Sequence, residues 1–499
     1  MTLHLSYLLW IPAVFGLLAA FAPRRTSGPI ALVGSLLALA FAIALVADFD
    51  RGAGLQHVTD ASWIEQLGIH YKLGVDGINL FLILLTAVGF VASTLWSVLD
   101  RTVAGTRERS YYFWLSLGHT AVLGALMAQD LAMFVVFFDL MLVPFFFLTG
   151  IFGGENRIAA VTKLFIYTLV GSLLMLAAAI ATGTMANVDG GGTTFVLSEL
   201  QQAGLSEGSQ KWIFLCFAAA FLVKMPMFPL HGWMPDGYRA MPLPVLAVFS
   251  GVLSKVAAYG FLKIALPLFP EGAAAFQELL LLIALASILY GSVMAFTTTE
   301  SRLILGYSSV AQLGFIVLGI FALEEDGAQG AILQSVNHGL VVLPAFFIVG
   351  LLAARAGSSD IRDMGGVAFR APVLAGLFLI VALATLAMPG SSNFIGEFLI
   401  LLGVFRDNLV IAIVAFSGVV MASVYMLRMF ISSMHNRVGR NVHSRDISLA
   451  DGLVLVPLVA AIIALALYPQ LPLKKGERDI NSSIGAAAVA AGQEEVAQR

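Results

Sequence analysis

Four ionisable residues lie inside long apolar runs of this sequence: Asp139, Lys224, Lys255 and Glu397. A charged group at mid-membrane costs about 2.5–3.5 kcal/mol on insertion scales. An interhelical ion pair is one reason to keep such a group, and Asp139 beside a lysine fits that reading. Two lysines on neighbouring helices repel each other and fit it poorly. Burial in hydrocarbon disfavours the ammonium, and a nearby carboxylate favours it. A lysine held between those opposing effects can load and release a proton near neutral pH. A buried carboxyl such as Glu397 is in the mirror situation. Proton relay is therefore the chemistry these four residues suggest.

Helix breakers accompany the charges. Lys224-Met225-Pro226 is followed by Pro229, and Met388-Pro389-Gly390-Ser391-Ser392-Asn393 precedes Glu397. Proline removes a backbone donor and clashes with the preceding turn. Interrupted helices at membrane depth are tolerated where they are buried in protein or line a wet cavity. Paired interruptions in the two halves of a transporter point to an ion path; an ordinary proline kink is the plainer reading. Aligning Met225-Pro226 with Met388-Pro389 gives an offset of 163 residues, but little matches beyond that dipeptide. Polar residues fall between the charges: Lys163, Tyr167, His231, Ser254, Tyr259, Ser308, Ser309, Gln312, Gln334, Asn337, His338 and Asn393. His338 is either a proton carrier or a hydrogen-bonded structural residue, and His119 reads as structural. Lys163, His231, Tyr259 and Asn393 are candidates to support a relay. No histidine spacing suggests haem.

These residues need helices in a bilayer to hold them. The chain has 499 residues, 59% of them hydrophobic and only 11% charged, with mean hydropathy +0.93. Soluble domains carry roughly a quarter charged residues. The composition excludes an ordinary cytoplasmic enzyme and a disordered scaffold. A net charge of -3 offers no field for nucleic acid. The single cysteine, Cys216, makes no intrachain disulfide, iron–sulfur cluster or cysteine zinc site. No Gly-x-Gly-x-x-Gly follows a strand, and no Walker-type Gly-Lys-Ser/Thr occurs. The sequence predicts no cofactor or metal in this chain, so redox chemistry belongs to partners.

Apolar runs of membrane-spanning length are predicted near 3–22, 28–47, 75–99, 111–128, 131–152, 161–184, 212–232, 243–267, 275–297, 302–323, 328–354, 373–403, 408–433 and 450–469. That is about fourteen spans of an all-α integral membrane protein. Gln129-Asp130 is the only hinge in 111–152. Arg24 and Arg25 follow the first run, so it reads as a retained helix and not a cleaved signal. Sixteen of the 27 basic residues collect on one side, including Arg24, Arg157, Lys163, Arg239, Arg302 and Arg355. That side should be cytoplasmic. Both termini, the 186–208 loop and Glu324-Glu325-Asp326 then lie outside, and the tail 474–499 is expected to fray.

The segment FLVKMPMFPLHGWMPDGYRAMPLPVLAVFSGVLSKVAAYGFLK at 221–263 resembles the central signature of the antiporter-like membrane subunits of respiratory complex I. So do FFDLMLVPFFFL at 137–148, SRLILGYSSVAQLGF at 301–315 and PGSSNFIGEF at 389–398. The resemblance covers nearly the whole chain and is nearest to the M type of the bacterial NADH:quinone oxidoreductase, which carries glutamate at the Glu397 position where sibling subunits carry lysine. It implies fourteen helices with two inverted five-helix repeats, broken near 224–229 and 388–393. The implied divisions are 1–110 for helices 1–3, 111–267 for the first repeat, 275–433 for the second, and 450–499 for the last helix and tail. The resemblance further implies that Asp139 pairs with Lys224, that Lys255 and His338 lie on a polar axis, and that Glu397 ends it. Proton translocation would be driven by quinone reduction elsewhere, with flavin, iron–sulfur clusters and quinone in partner subunits. Neighbouring antiporter-like subunits and the lipid of a bacterial plasma membrane would be its surroundings.

Departures from the family pattern are present. The fifth-helix acid is usually glutamate; Asp139 is one methylene shorter, a gap a bridging water can fill. The usual Pro-Asp-Ala-His reads Pro235-Asp236-Gly237-Tyr238, and Ala-Pro-Thr reads Met241-Pro242-Leu243. Rival readings are a subunit of a multi-subunit cation/proton antiporter or membrane-bound hydrogenase, and a purely structural membrane subunit. Sodium binding would call for clustered carboxylates or carbonyls, whereas the two mid-membrane acids are far apart in sequence.

Overall fold

The computed structural model describes residues 3–100, 105–186, 192–439, 442–443 and 445–493. The chain is mostly helical, as backbone satisfaction in lipid requires. Among the described residues ten helices are long and apolar enough to cross a membrane, from Arg24–Asp48 to Leu449–Leu467. Leu5–Phe21 and Pro372–Thr385 are shorter apolar helices. Peripheral helices turn large apolar side chains outward, such as Phe21, Ile166, Ile413 and Leu453. Ser301–Phe321 and Leu243–Leu268 are buried over most of their length, and Glu325–Ala356 through its middle. Those three interior helices carry Lys255, Gln312, Gln334 and His338, so the polar groups sit away from lipid.

Close backbone approach joins them. A Cβ added at Gly339 would meet the Gly251 carbonyl oxygen at 2.5 Å, so only glycine lets the Lys255 and His338 helices cross there. At Gly396 a Cβ would lie 2.5 Å from the Gln334 side-chain oxygen, which seats the Glu397 helix just as tightly. The Leu243–Leu268 span also contains two π-helical turns, Phe249–Leu253 and Phe261–Ala265, on either side of Lys255. Such turns recur at functional sites.

Both expected breaks are present. Helix Glu207–Lys224 ends at the lysine and the chain resumes as Met234–Ala240. Pro372–Thr385 and Ser392–Asp407 flank the second break. The expected hinge at Gln129-Asp130 also appears: Asp130 caps Leu131–Leu140 by accepting from the Met133 N–H at 3.0 Å.

Two expectations need correction. The chain is not wholly α-helical: Gln56–Ile64 and Ile69–Val75 pair as an antiparallel hairpin. Asp60 stands opposite Lys72, and its carboxylate reaches Lys72 at 2.9 Å and His70 at 2.7 Å. Burial raises the Asp60 carboxyl, but those two partners outweigh it and hold it below its ordinary value. The second strand ends at Val75, the first residue of the run expected at 75–99, whose helix is Leu80–Leu99. The tail is not frayed over its described length, because Gln470–Ala490 is a helix that buries Ile480, Ile484 and Ala487. Its Ser483 hydroxyl donates to the Leu262 carbonyl, and the Gly77 N–H donates to Asp479 at 2.6 Å.

These contacts gather the two described ends on the hairpin face. At the start of the chain, Trp10 Nε1 donates to Tyr71 and Tyr71 donates to Ser6. Arg239, Glu300, Asp360 and Arg362 meet at the opposite face. Arg101, Arg440 and Arg499 lie outside the described residues.

Candidate proton-relay site

The first centre surrounds Lys224. This lysine ends its helix, where the free carbonyls favour a cation. Its ammonium donates to the Phe138 carbonyl at 3.0 Å and sits 4.3 Å from the centre of the Phe138 ring. The partner helix is pinched at Met141, three residues before Pro144, so the carbonyl lies beside a break. Trp233 Nε1 donates to the Val223 carbonyl at 3.1 Å and closes the end of the lysine helix. Phe228 N–H donates to the Ser287 hydroxyl at 3.0 Å.

The expected Asp139–Lys224 ion pair is not formed. Asp139 Oδ1 is buried without a hydrogen-bond partner, and Ser172 is a polar neighbour of the carboxyl. Aspartate is too short to reach the ammonium, which the backbone carbonyl one residue earlier takes instead. The two charges remain within electrostatic range.

The second centre joins Lys255, His338 and Glu397. Lys255 is 1% exposed; its ammonium donates to the Ser250 carbonyl at 2.8 Å and to Ser254 Oγ at 3.2 Å. Ser250 Oγ lies 3.4 Å from Ser309 Oγ, one helical turn before Gln312. Gln312 Nε2 donates to Glu397 Oε1 at 2.7 Å, and Gln334 Nε2 donates to Gln312 Oε1 at 2.7 Å. His338, one turn beyond Gln334 and within electrostatic range of Lys255, is fully buried with Nδ1 unpartnered. Glu397 Oε2 and both amide atoms of Asn393 are also buried and unpartnered. Buried polar atoms in such density are normally served by ordered water. Among these groups only Ser250 escaped the sequence reading, as one serine in an apolar run carries no signal.

Lys224, Trp233, Phe249 and Leu253 border a cavity of about 10 Å³, about the size that admits one water.

The supporting residues disperse. Lys163 Nζ pairs with Asp236 at 2.8 Å, Arg239 follows, and Arg239 Nε donates to Glu300 at 2.8 Å. This network forms the face opposite the hairpin. His231 is buried against Tyr290, near Lys163, with Nδ1 unpartnered. Tyr259 is fully buried and lies toward the hairpin, one turn beyond Lys255. His119 stacks flat on Phe90 at 4.4 Å, in keeping with its structural reading. Among the described residues no group of three His, Cys, Asp or Glu is placed to hold a metal ion.

Residues 128–424 match a family model described as the NADH:quinone oxidoreductase/Mrp antiporter transmembrane family. The chain is 34% identical over 492 residues to NADH-quinone oxidoreductase subunit M of Rhodobacter capsulatus, covering 94% of this chain and 93% of that one. It is 34% identical over 488 residues to the subunit M of Escherichia coli K12, covering 93% and 94%. Among solved structures, a chain of respiratory complex I from Thermus thermophilus with bound NADH superposes with TM-score 0.88 at 30% identity, over 98% of this chain and 100% of that one. A chain of the Mrp complex from Dietzia shares the fold, with TM-score 0.83 at 20% identity over 99% and 98%.

Proposed function

This chain belongs to the NADH:quinone oxidoreductase/Mrp antiporter membrane family, and from that premise we propose that it is the proton-translocating antiporter-like subunit M of a bacterial NADH:quinone oxidoreductase. Quinone reduction in partner subunits supplies the energy, and flavin, iron–sulfur clusters and quinone reside there. This chain contributes the relay. Asp139 biases Lys224; Lys224 exchanges a proton with Lys255 through water; Lys255 passes it through the Ser250, Ser309 and His338 region to Glu397.

The observation that carries this reading is the Lys255-to-Glu397 centre: an ammonium and a carboxyl, both buried, with serine and glutamine side chains between them and unpartnered polar atoms beside them. A structural ion pair would bring the two charges together. Here neither charge meets an opposite charge within 4.0 Å, the arrangement expected where charge must move.

The reading extends to topology. With Leu5–Phe21, Glu108–Met127 and the two broken pairs counted as crossings beside the ten long apolar helices, the chain makes fourteen passes of the plasma membrane. The divisions are 1–110, 111–267, 275–433 and 450–499, and the middle two form the inverted repeats. The face carrying Lys163, Arg239 and Arg302 is cytoplasmic; the hairpin and both ends lie outside. Lys163, Asp236 and His231 then stand between the cytoplasm and Lys224 as an uptake region.

Lys224→Ala and Glu397→Ala in the assembled complex test the assignment. Each suppresses proton uptake into vesicles during NADH oxidation. Normal assembly with normal pumping in both would overturn it. Sodium flux in the same vesicles distinguishes a cation/proton antiporter.

A further inference from the structure

Lys255 stands between two polar regions, and the relay uses one of them. The other begins at Tyr259, one turn toward the hairpin face. Its hydroxyl is fully buried and makes no hydrogen bond. A buried hydroxyl left unpaired costs about 1–3 kcal/mol, more than a phenylalanine ring at the same place would. The polar neighbours of the hydroxyl are the side chains of Asn79 and Gln129, both buried, and Asp76 lies within electrostatic range.

Asn79 is bonded directly to Asp76: Asn79 Oδ1 accepts from the Asp76 N–H at 2.9 Å, and Asp76 Oδ1 accepts from the Asn79 N–H at 3.1 Å. The second carboxylate oxygen of Asp76 takes Lys263 Nζ at 2.6 Å. Asp76 is 4% exposed, so this pair is largely withdrawn from water. Asp479, from the C-terminal helix, closes the group by accepting from the Gly77 N–H at 2.6 Å. Asp76, Lys263, Asp479 and Ser483 line a surface cavity of about 150 Å³ on the hairpin face. Burial, reinforced by the Asp76 carboxylate, holds the Asp479 carboxyl above the ordinary aspartate range despite its bond to Gly77 and the nearby Lys263.

We propose that Tyr259 and the Asp76–Lys263–Asp479 cluster form a second proton outlet for Lys255, opening on the hairpin face and separate from the branch that ends at Glu397. The proposal rests on the relay reading. The Lys255 ammonium gives up one proton, through water, to the phenolic oxygen of Tyr259, and Tyr259 releases its own proton on the far side. The phenol is the same before and after, and Lys255 is left as the neutral amine. The released proton crosses the water beside Asn79 and Gln129 to the Asp76 carboxylate, where it weakens the bond to Lys263. It leaves through the cavity by way of Asp479. The amides hold that water in place and carry no proton themselves. In the structure the Lys255 ammonium is turned toward Ser250, the Glu397 side. Lys255 is thus the branch point.

Tyr259→Phe removes only the hydroxyl oxygen and keeps the packed ring, so a purely structural tyrosine would tolerate it. The variant is made in the whole complex, reconstituted in liposomes, and proton movement per NADH oxidised is followed with a pH-sensitive dye. The expected result is wild-type assembly with the initial pumping rate down by about threefold; the fall is smaller than the roughly hundredfold contribution of a lone positioned proton carrier, because the Glu397 branch stays open. Lys263→Met should lower the rate similarly, and Tyr259→Phe decides the matter if Lys263→Met does not assemble. Lys224→Ala and Glu397→Gln in the same assay report on the relay itself. If those two fail to pump while Tyr259→Phe and Lys263→Met pump at the wild-type rate, the outlet is wrong and the relay stands. If all four pump normally, both are wrong.

Discussion

The Lys224 ammonium is bonded to the carbonyl oxygen of Phe138, 3.0 Å away, and not to the carboxylate of Asp139, the next residue in the chain. A backbone carbonyl is a neutral acceptor. It holds the ammonium in place and also accommodates the neutral amine, whereas a direct carboxylate contact would bind the charged form strongly. In the proposed relay Asp139 therefore acts at a distance, as a bias on Lys224.

The bias can be removed without removing the lysine. Asp139→Asn removes the one charge that acts on Lys224 and should lower coupled pumping at least tenfold, with the complex still assembled. Asp139→Glu restores the charge and should pump. Dye-monitored acidification of vesicles on NADH addition checks both.

Lys224→Met separates stability from transport. It deletes the ammonium and leaves the Phe138 carbonyl unpaired at a cost of about 1–3 kcal/mol, offset by no longer burying a charge. The thermal midpoint of the purified complex should move little while pumping is lost. A large drop in the midpoint would mean that Lys224 is chiefly structural.

Glu397 depends on amide donors. Gln312 donates to it at 2.7 Å and is itself held by Gln334. Hydrogen bonds to charged groups contribute about 1.5–3 kcal/mol each. Gln312→Leu should destabilise the complex by about 2 kcal/mol and also slow pumping, since the same bond spans the gap toward Ser309. Gln312→Glu should assemble less well, because two acids would face each other. Thermal unfolding and vesicle acidification of the two variants read out these effects.

The loop that carries Asp360 has its own pH response. The Arg362 guanidinium, assisted by Thr299, holds the Asp360 carboxyl down at about 2. That lies below the unfolded value, near 3.9. The contribution to stability is therefore fully present above about pH 5 and is lost as pH falls toward 2. Arg362 is mostly exposed, so screening limits the contribution to under about 1 kcal/mol. Asp360→Asn should flatten the pH dependence of proteolysis at this loop and leave pumping at neutral pH unchanged.

Several features were legible in the sequence because lipid makes them expensive. Lys224, Lys255 and Glu397 stood out as charges in oil, the proline-containing segments predicted both breaks, and Gln129-Asp130 marked the hinge in 111–152. The hairpin was not legible, since strands alternating every second residue leave no trace in a search for long apolar runs. Asp76 and Lys263 drew no reading; they are 187 residues apart in sequence and only the fold makes them a largely buried pair. The acceptor for Lys224 is a backbone carbonyl, which no side chain encodes. Gln470–Ala490 reads as a polar, alanine-rich tail because only one face of it packs.

The most direct test of the relay is the protonation of Glu397 during turnover, followed by infrared difference spectroscopy of the reconstituted complex as NADH is added. The account predicts a change in the protonated-carboxyl stretching region that follows pumping and is missing in Glu397→Gln. A wild-type complex that pumps with no carboxyl signal lost in Glu397→Gln would contradict it.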